Sequence, residues 1–250
     1  MKNNFLEPFK SVVEKLISLE KYPEYQSAFL FGSLARGEQE ENSDVDAIVI
    51  TKKGFNCKNI SQPKVSGVKI DITFQSLQQF KKQTQEEIKK GTRIPMICES
   101  AILFDKNGKL TKYKSQLRNI KHRGVKKDGY RMLRFLIHHA DNKAKRNIKT
   151  DPYTAHLALN INLNEIMTFH YRLNKKWWVS NKRMLKDLDK WDSGLAKTLK
   201  KFVTELDINK KYAIWEEIAD HISIPLGGRF KLTETNCICD TCKKNLSRLN

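Results

Sequence analysis

The sequence lacks long apolar runs and is poor in the residues that mark disulfide-rich or low-complexity chains. No stretch approaches the roughly 20 apolar residues that a membrane-spanning helix needs, and Met1–Glu7 has no apolar core of a secretory signal. Only 11 glycines and 6 prolines occur in 250 residues, which excludes collagen-like and Pro/Gly-rich disordered chains. The 5 cysteines are an odd number without secretory context, so we expect reduced thiols and a cytoplasmic protein.

The most informative segment runs from Phe31 to Asp46. An apolar strand ends in a turn at Gly32-Ser33, and after ten intervening residues Asp44 and Asp46 lead into a second apolar strand. A Gly-Ser turn that leads into a helix can expose backbone N–H groups to a phosphate. Because residues i and i+2 of a strand point the same way, we expect Asp44 and Asp46 to bind metal at the same site.

A third carboxylate lies on the next predicted strand, Val68–Phe74. Asp71 stands in the middle of that strand, where an acidic residue is disfavoured unless it is used or exposed. If the two strands are neighbours, three carboxylates converge and can hold two divalent metal ions. One ion would bind a triphosphate and the other would lower the pKa of an attacking hydroxyl, which predicts metal-assisted phosphoryl or nucleotidyl transfer.

The turn, the paired aspartates and the later strand aspartate together resemble a known family. Gly32-Ser33, the ten-residue spacing, Asp44-x-Asp46 and Asp71 are similar to the motif of the DNA polymerase β-like nucleotidyltransferase superfamily. The resemblance covers residues 27–75 and extends to about residue 110. The alternative is a surface turn with two solvated aspartates.

The resemblance implies an α+β fold, in which a nucleotidyltransferase-type mixed sheet with flanking helices is followed by an all-α helical bundle. It implies that Gly32 and Ser33 bind the nucleotide phosphates and that Asp44, Asp46 and Asp71 bind two Mg²⁺ ions. The expected co-substrate is a nucleoside triphosphate, with ATP favoured. The expected reaction moves its nucleoside monophosphate to a hydroxyl and releases pyrophosphate.

Apolar periodicity and turn residues divide the rest of the chain. The first part is mixed, with helices predicted at 5–20 and 76–90 and strands predicted at 27–31, 45–51, around Asp71 and at 101–104. From about Lys112 only helices are predicted, at 128–148, 152–173, 181–206 and 210–223. We therefore expect a catalytic domain at 1–112, a helical bundle at 113–228 and a cysteine-containing basic tail at 229–250.

This layout is similar to that of the kanamycin- and lincosamide-type antibiotic nucleotidyltransferases, whose helical domain supplies a carboxylate base and a phosphate-binding lysine. Asp141 and Lys145 are spaced i, i+4 on one predicted helix and can face one cleft. Asp141 is the candidate base and Lys145 a candidate nucleotide-binding residue. An ordinary surface ion pair is the alternative. Glu165 is a second candidate base.

Two further basic residues are candidates for nucleotide binding. Arg36 follows the Gly-Ser turn and could bind a phosphate through both arms of its guanidinium. Lys182 follows Trp177-Trp178, a pair that could stack on a nucleobase. The alternatives are an exposed arginine on a first helical turn, one lysine among many, and tryptophans that only pack.

Acidic residues are scarce relative to basic ones. The chain has 28 acidic and 47 basic residues, a net charge of +19. Such an excess favours an anionic partner, namely the nucleoside triphosphate and an RNA. A lysine-rich composition gives the same charge without a partner, so both interpretations stay open. The charge argues against a strongly cationic acceptor, whose capture favours an acidic cleft.

The C-terminal cysteines Cys237, Cys239 and Cys242 are close enough to suggest a structural Zn²⁺ site, with His221 as a conceivable fourth ligand. Only three cysteines cluster, and the second Cys-x2-Cys set that is usual in such sites is missing. The pattern therefore favours free thiols over zinc. The histidines show no metal-binding spacing.

The sequence thus predicts a Mg²⁺-dependent nucleotidyltransferase, expected to be an adenylyltransferase, that acts on a hydroxylated small molecule such as an antibiotic. Two other acceptors stay open: tRNA or another RNA, and a protein partner of the toxin–antitoxin type. A non-catalytic alternative is a basic RNA-binding module on a degenerate fold. The complete set of carboxylates speaks against that alternative.

Overall fold

A computed structural model of the chain describes residues 7–53, 62–92, 94–231, 240–241 and 244. The described residues form two compact units that divide between His122 and Arg123. Every helix in these ranges is too short or too polar to cross a bilayer.

The first unit is built on a five-stranded mixed sheet. Its strands are β1 (Tyr25–Phe31), β2 (Val45–Thr51), β3 (Lys64–Val65), β4 (Val68–Ser76) and β5 (Ala101–Asp105). They lie in the order β3-β4-β2-β1-β5. The β2 strand pairs parallel with β4, whereas the other neighbours pair antiparallel. As a result β2 is central and buried, with β4 paired along one edge and β1 along the other.

Helices cover both faces of this sheet. They are α1 (Phe9–Ser18), α2 (Gly32–Arg36), α3 (Leu77–Lys89), α4 (Ile94–Glu99) and α5 (Lys109–Arg118). Leu30 of β1 packs with the apolar face of α1 in one core. Its neighbour Phe29 points to the opposite face, because side chains alternate along a strand. There Phe29 packs against Phe80 of α3, with ring centroids 5.4 Å apart.

The second unit is helical. Its helices are α6 (Tyr130–Asn147), α7 (Pro152–Leu173), α8 (Asn181–Leu188), α9 (Ser193–Thr204) and α10 (Ile208–Ser223). Each contributes buried side chains to one apolar core, represented by Leu133, Leu159, Leu188, Leu199 and Trp215. Asp151 caps the start of α7 by accepting a hydrogen bond from the Thr154 N–H, and Pro152 occupies the first turn.

The predicted fold class, a mixed sheet with flanking helices followed by helices alone, is confirmed. The single helix predicted over 181–206 is wrong. Instead, α8 ends at Leu188 and a separate helix, α9, begins at Ser193. Asp192 caps the start of α9 by accepting a hydrogen bond from the Leu195 N–H at 3.2 Å. Leu206, the last residue of that predicted helix, lies beyond the end of α9 and is 86% exposed.

The division between the units lies after the predicted domain end at residue 112. That position falls inside α5, whose Leu110 and Leu117 are buried in the first unit. The first residues of the predicted tail contact α6. Arg134 of α6 donates hydrogen bonds to the backbone oxygens of Gly228 and Arg229, and Phe230 packs edge-on against Phe135 of α6. Residues 229 and 230 therefore pack against the helical unit.

Candidate functional site

The centre of the candidate site is a pair of aspartates on neighbouring strands. Asp46 of β2 lies directly opposite Asp71 of β4 in the parallel register. The residues on either side of Asp46, Val45 and Ala47, are buried in the core that contains α1, as is Ile70 beside Asp71. By alternation, both aspartates project from the other face of the sheet. Both side chains are partly exposed, so their carboxylates can meet at one solvent-accessible spot.

Asp44 lies immediately before β2 and is also partly exposed. It precedes Asp46 by two positions, so an extended backbone at this point directs both side chains to the same face. The position of Asp44 just before β2 suits a carboxylate that binds the same metal ion as Asp46.

The Gly-Ser turn lies against Asp46. Phe31, the last residue of β1, pairs with Asp46 in the antiparallel register, and Gly32 follows with φ +75°. A β-carbon added at Gly32 would come within 2.0 Å of the Asp46 Oδ2 atom. Glycine is therefore required twice here: for the left-handed backbone, and for the space that the Asp46 carboxylate fills.

Ser33 lies in the first turn of α2, next to this close contact. The first N–H groups of a helix have no partner inside the helix and are suited to bind an anion. The other end of α2 is closed by Gly37 in the left-handed conformation, and the Glu38 N–H donates to the Ser33 oxygen at 3.0 Å. These bonds fix the turn beside the aspartates.

Arg36, predicted to bind phosphate, is held in ion pairs in this structure. Its Nε atom lies 2.8 Å from the Glu38 carboxylate, and its Nη1 atom lies 3.6 Å from Glu99 of α4. Only 14% of its side chain is exposed, which differs from the alternative of a freely exposed arginine. Arg36 thus links the end of α2 to α4.

The remaining predicted site residues belong to the second unit. Asp141 of α6 is partly buried and accepts a hydrogen bond from the Tyr212 hydroxyl of α10 at 2.8 Å. Burial and this hydrogen bond raise the pKa of Tyr212 above its usual range, so the phenol stays protonated and keeps donating. Lys145, one turn further along α6, is exposed, and so are Glu165 of α7 and Lys182 of α8.

The sequence interpretation missed a second cluster of metal-binding side chains. His170 of α7, Asp192 before α9 and His221 of α10 bring their ligand atoms within 4.8 Å of one another. Both imidazoles contact the same atom, Asp192 Oδ2, at 2.8 Å through Nε2. No sequence motif indicates this cluster, because its members are 22 and 29 positions apart and come from three segments.

Burial and hydrogen bonding shift the pKa values of this cluster in opposite directions. Burial lowers the pKa of His170, although the Asp192 carboxylate opposes this effect. For Asp192, burial raises the pKa, but hydrogen bonds from His221 and the Leu195 N–H outweigh it and lower the pKa overall. The carboxylate is therefore stabilised in its ionised form.

The zinc site considered at Cys237, Cys239 and Cys242 lies outside the described residues. His221, its conceivable fourth ligand, contacts Asp192 in the cluster above.

Comparison with known proteins identifies part of the chain. Residues 14–100 match the family model described as Polymerase beta, Nucleotidyltransferase. A solved structure of a nucleotidyltransferase-like protein from Exiguobacterium sibiricum 255-15 is similar to this chain, with a TM-score of 0.47 and 13% sequence identity; the match covers 96% of this chain and 79% of that one. None of the curated proteins compared with the chain matches it significantly.

Proposed function

Since residues 14–100 belong to the polymerase β-like nucleotidyltransferase superfamily, we propose that this protein transfers a nucleoside monophosphate from a Mg²⁺-bound nucleoside triphosphate to a hydroxyl group. The observation that carries the proposal is the register of Asp46 against Asp71, with both side chains on the sheet face opposite α1. The turn at Gly32, which lies against the Asp46 carboxylate, would bind phosphate at the same place.

The carboxylates fit Mg²⁺ by their chemistry. Mg²⁺ prefers hard oxygen ligands and usually binds one or two carboxylates together with substrate phosphates. Asp46 and Asp71 offer such oxygens from rigid strands, and Asp44 can add a third carboxylate. Mg²⁺ bound there would neutralise phosphate charge and lower the pKa of the attacking hydroxyl.

In this proposal the turn at Gly32 and Ser33 binds the triphosphate. Backbone N–H groups at the start of α2 and the Ser33 hydroxyl would donate hydrogen bonds to phosphate oxygens. Arg36, supported by Glu38 and Glu99, would hold the end of α2 in place and add a charge-assisted bond to phosphate.

We propose ATP as the donor and a hydroxylated small molecule as the acceptor. Asp141 would take the proton of the attacking hydroxyl, with Tyr212 fixing the orientation of its carboxylate through the 2.8 Å hydrogen bond. Lys145 and Lys182, both exposed on helices, would add positive charge for phosphate.

The net charge of +19 favours a second candidate acceptor, RNA. An RNA presents many phosphates, so basic side chains spread along the chain would strengthen its binding in a salt-dependent way. The chemistry at the aspartates would be the same.

Transfer of label from α-labelled ATP tests the proposal. We expect that the protein, with Mg²⁺ and a cell extract divided into small-molecule, RNA and protein fractions, moves label into the small-molecule fraction. Chelation of Mg²⁺ should abolish the transfer. Label in the RNA fraction would support the second candidate, and label in the protein fraction would identify a protein acceptor.

The matched control for this assay is Asp71→Asn, which keeps the shape of the side chain and removes its charge. Loss of label transfer in Asp71→Asn would show that the activity comes from this carboxylate site and not from a contaminant. Failure of the wild-type protein to label any fraction with any of the four ribonucleoside triphosphates would contradict the proposed function.

A further inference from the structure

Three segments of the helical unit bring two imidazoles and a carboxylate to one point. His170 comes from α7, Asp192 from the connection between α8 and α9, and His221 from α10. The proposed nucleotidyl transfer uses none of these residues. The cluster is therefore independent of that function.

We propose that His170, Asp192 and His221 bind a divalent transition metal ion, with Zn²⁺ as the expected occupant. Two imidazole nitrogens and one carboxylate oxygen are a ligand set that zinc takes in proteins. The same set disfavours Mg²⁺ and Ca²⁺, which prefer oxygen ligands alone. The site thus differs in chemistry from the three aspartates of the first unit.

The distances fit an ion of this size. Ligand atoms about 2.0–2.1 Å from a tetrahedral Zn²⁺ lie about 3.3 Å from one another. Here each Nε2 atom lies 2.8 Å from Asp192 Oδ2, and all three atoms lie within 4.8 Å. To surround an ion, the two 2.8 Å contacts would lengthen by about half an ångström, and the two imidazole nitrogens, which lie within 4.8 Å of each other, would come to about 3.3 Å. The ion would replace the Nε2 protons that both histidines direct at the carboxylate.

The surrounding contacts hold two of the ligands in place before any ion binds. Asp192 is fixed because its other oxygen, Oδ1, accepts the Leu195 N–H at the start of α9. The His170 ring is buried and stacks on Trp191 with ring centroids 5.2 Å apart. Supports of this kind around the ligands commonly raise metal affinity.

The third ligand leaves the site open to solvent. The His221 side chain is 42% exposed, so an ion can enter from that side. Three protein ligands leave a fourth tetrahedral position, which water can occupy. With the ion bound, α7, α9 and α10 would be tied together at one point.

The competing explanation is a hydrogen-bonded His–Asp–His contact that binds no metal. It predicts that changing the cluster alters stability but leaves zinc uptake unchanged. Metal binding predicts instead that changing the cluster lowers zinc uptake more than it lowers stability. The two explanations are therefore separable by measuring zinc directly.

The experiment is a calorimetric Zn²⁺ titration of the full chain after removal of bound metal by a chelator. Cys237, Cys239 and Cys242 are replaced by serine in every sample, so thiolates cannot bind the ion. In this background the test variants are His221→Gln, at a partly exposed position, and Asp192→Asn, which keeps an oxygen for the N-cap. The control is His139→Gln, an exposed histidine of α6 outside the cluster.

We expect the unchanged cluster to bind one equivalent of Zn²⁺. His221→Gln and Asp192→Asn should each lower the zinc affinity by about 100-fold. Loss of a contact that only supports a ligand already lowers metal affinity by about 10- to 100-fold, and these variants remove a ligand itself. His139→Gln should leave affinity unchanged, and Asp46→Asn should not remove this equivalent. Zn²⁺ should also raise the melting temperature of the unchanged cluster by several degrees and that of the test variants far less.

Equal zinc affinity in His221→Gln, Asp192→Asn and the unchanged cluster would overturn the proposal. So would zinc binding that disappears only in Asp46→Asn, or no zinc-dependent rise in melting temperature. Any of these three results would leave the cluster as a hydrogen-bonded contact between helices.

Discussion

Asp71→Asn is expected to lower kcat for nucleotidyl transfer by about three orders of magnitude or more while the fold stays intact. A bound metal ion stabilises the charge of the transition state by several kcal/mol. Each ~1.4 kcal/mol corresponds to a tenfold change in rate. Asp71 lies opposite Asp46 on the sheet and is only partly buried, so an amide of the same shape can occupy its place. The same loss is expected for Asp46→Asn.

The measurement is the rate of label transfer from α-labelled ATP to the acceptor fraction, with circular dichroism to verify folding. Glu14→Gln is the matched control, because Glu14 is an exposed carboxylate on α1, on the other side of the sheet from the aspartates. It should retain wild-type activity. Activity within about tenfold of wild type in both Asp46→Asn and Asp71→Asn would contradict the assignment, since loss of a metal ligand must affect the chemical step.

The second large effect is expected for Gly32→Ala, which should reduce activity by about 100-fold or more. The new β-carbon would occupy the space of the Asp46 carboxylate, 2.0 Å from Oδ2, and must displace it. A shift of about 1 Å in a catalytic group is sufficient for an effect of this size. Alanine at φ +75° also costs about 1–2 kcal/mol of stability.

Gly37→Ala separates these two causes. Gly37 also has a left-handed backbone, φ +69°, but a β-carbon there meets no atom within 4 Å. We expect a similar loss of stability in both variants, measured by urea denaturation, and loss of activity in Gly32→Ala alone. If both variants lose activity equally, the cause is the strain in α2, and the contact with Asp46 does not explain the role of Gly32.

The sheet and the aspartate pair were predictable because local patterns define them. The β2 strand was predicted at 45–51 and is observed at Val45–Thr51, where an apolar β-branched run makes the strand unambiguous. Asp71 was predicted in mid-strand, and the structure places it there, next to buried Ile70. The start of α7 was also predictable, since Asp151-Pro152 is a local capping signal.

The break between α8 and α9 was missed because the apolar spacing continues across it. Met184, Leu188 and Leu195 keep helical spacing and all join one core, although the chain changes direction between them. The Asp192 side chain competes locally by capping a new helix. Apolar periodicity reports which side chains are buried, and it does not report whether the backbone hydrogen bonds are continuous.

Contacts between distant residues were not accessible to pattern analysis at all. The ion pair between Arg36 and Glu99 joins elements that are far apart in the chain. The His170–Asp192–His221 cluster requires α7, α9 and α10 to pack in one arrangement, and no local spacing encodes it. The role of a residue that depends on such contacts can be inferred only once the fold is known.

The most direct test of the central claim is a crystal structure with Mn²⁺ and a non-hydrolysable ATP analogue, located by anomalous scattering. We predict a manganese peak within about 2.0–2.6 Å of carboxylate oxygens from both Asp46 and Asp71, with the analogue's phosphates against the Gly32-Ser33 turn. A peak that contacts only one of these aspartates, or nucleotide bound elsewhere in the chain, would contradict the claim that the two strands form a shared metal site.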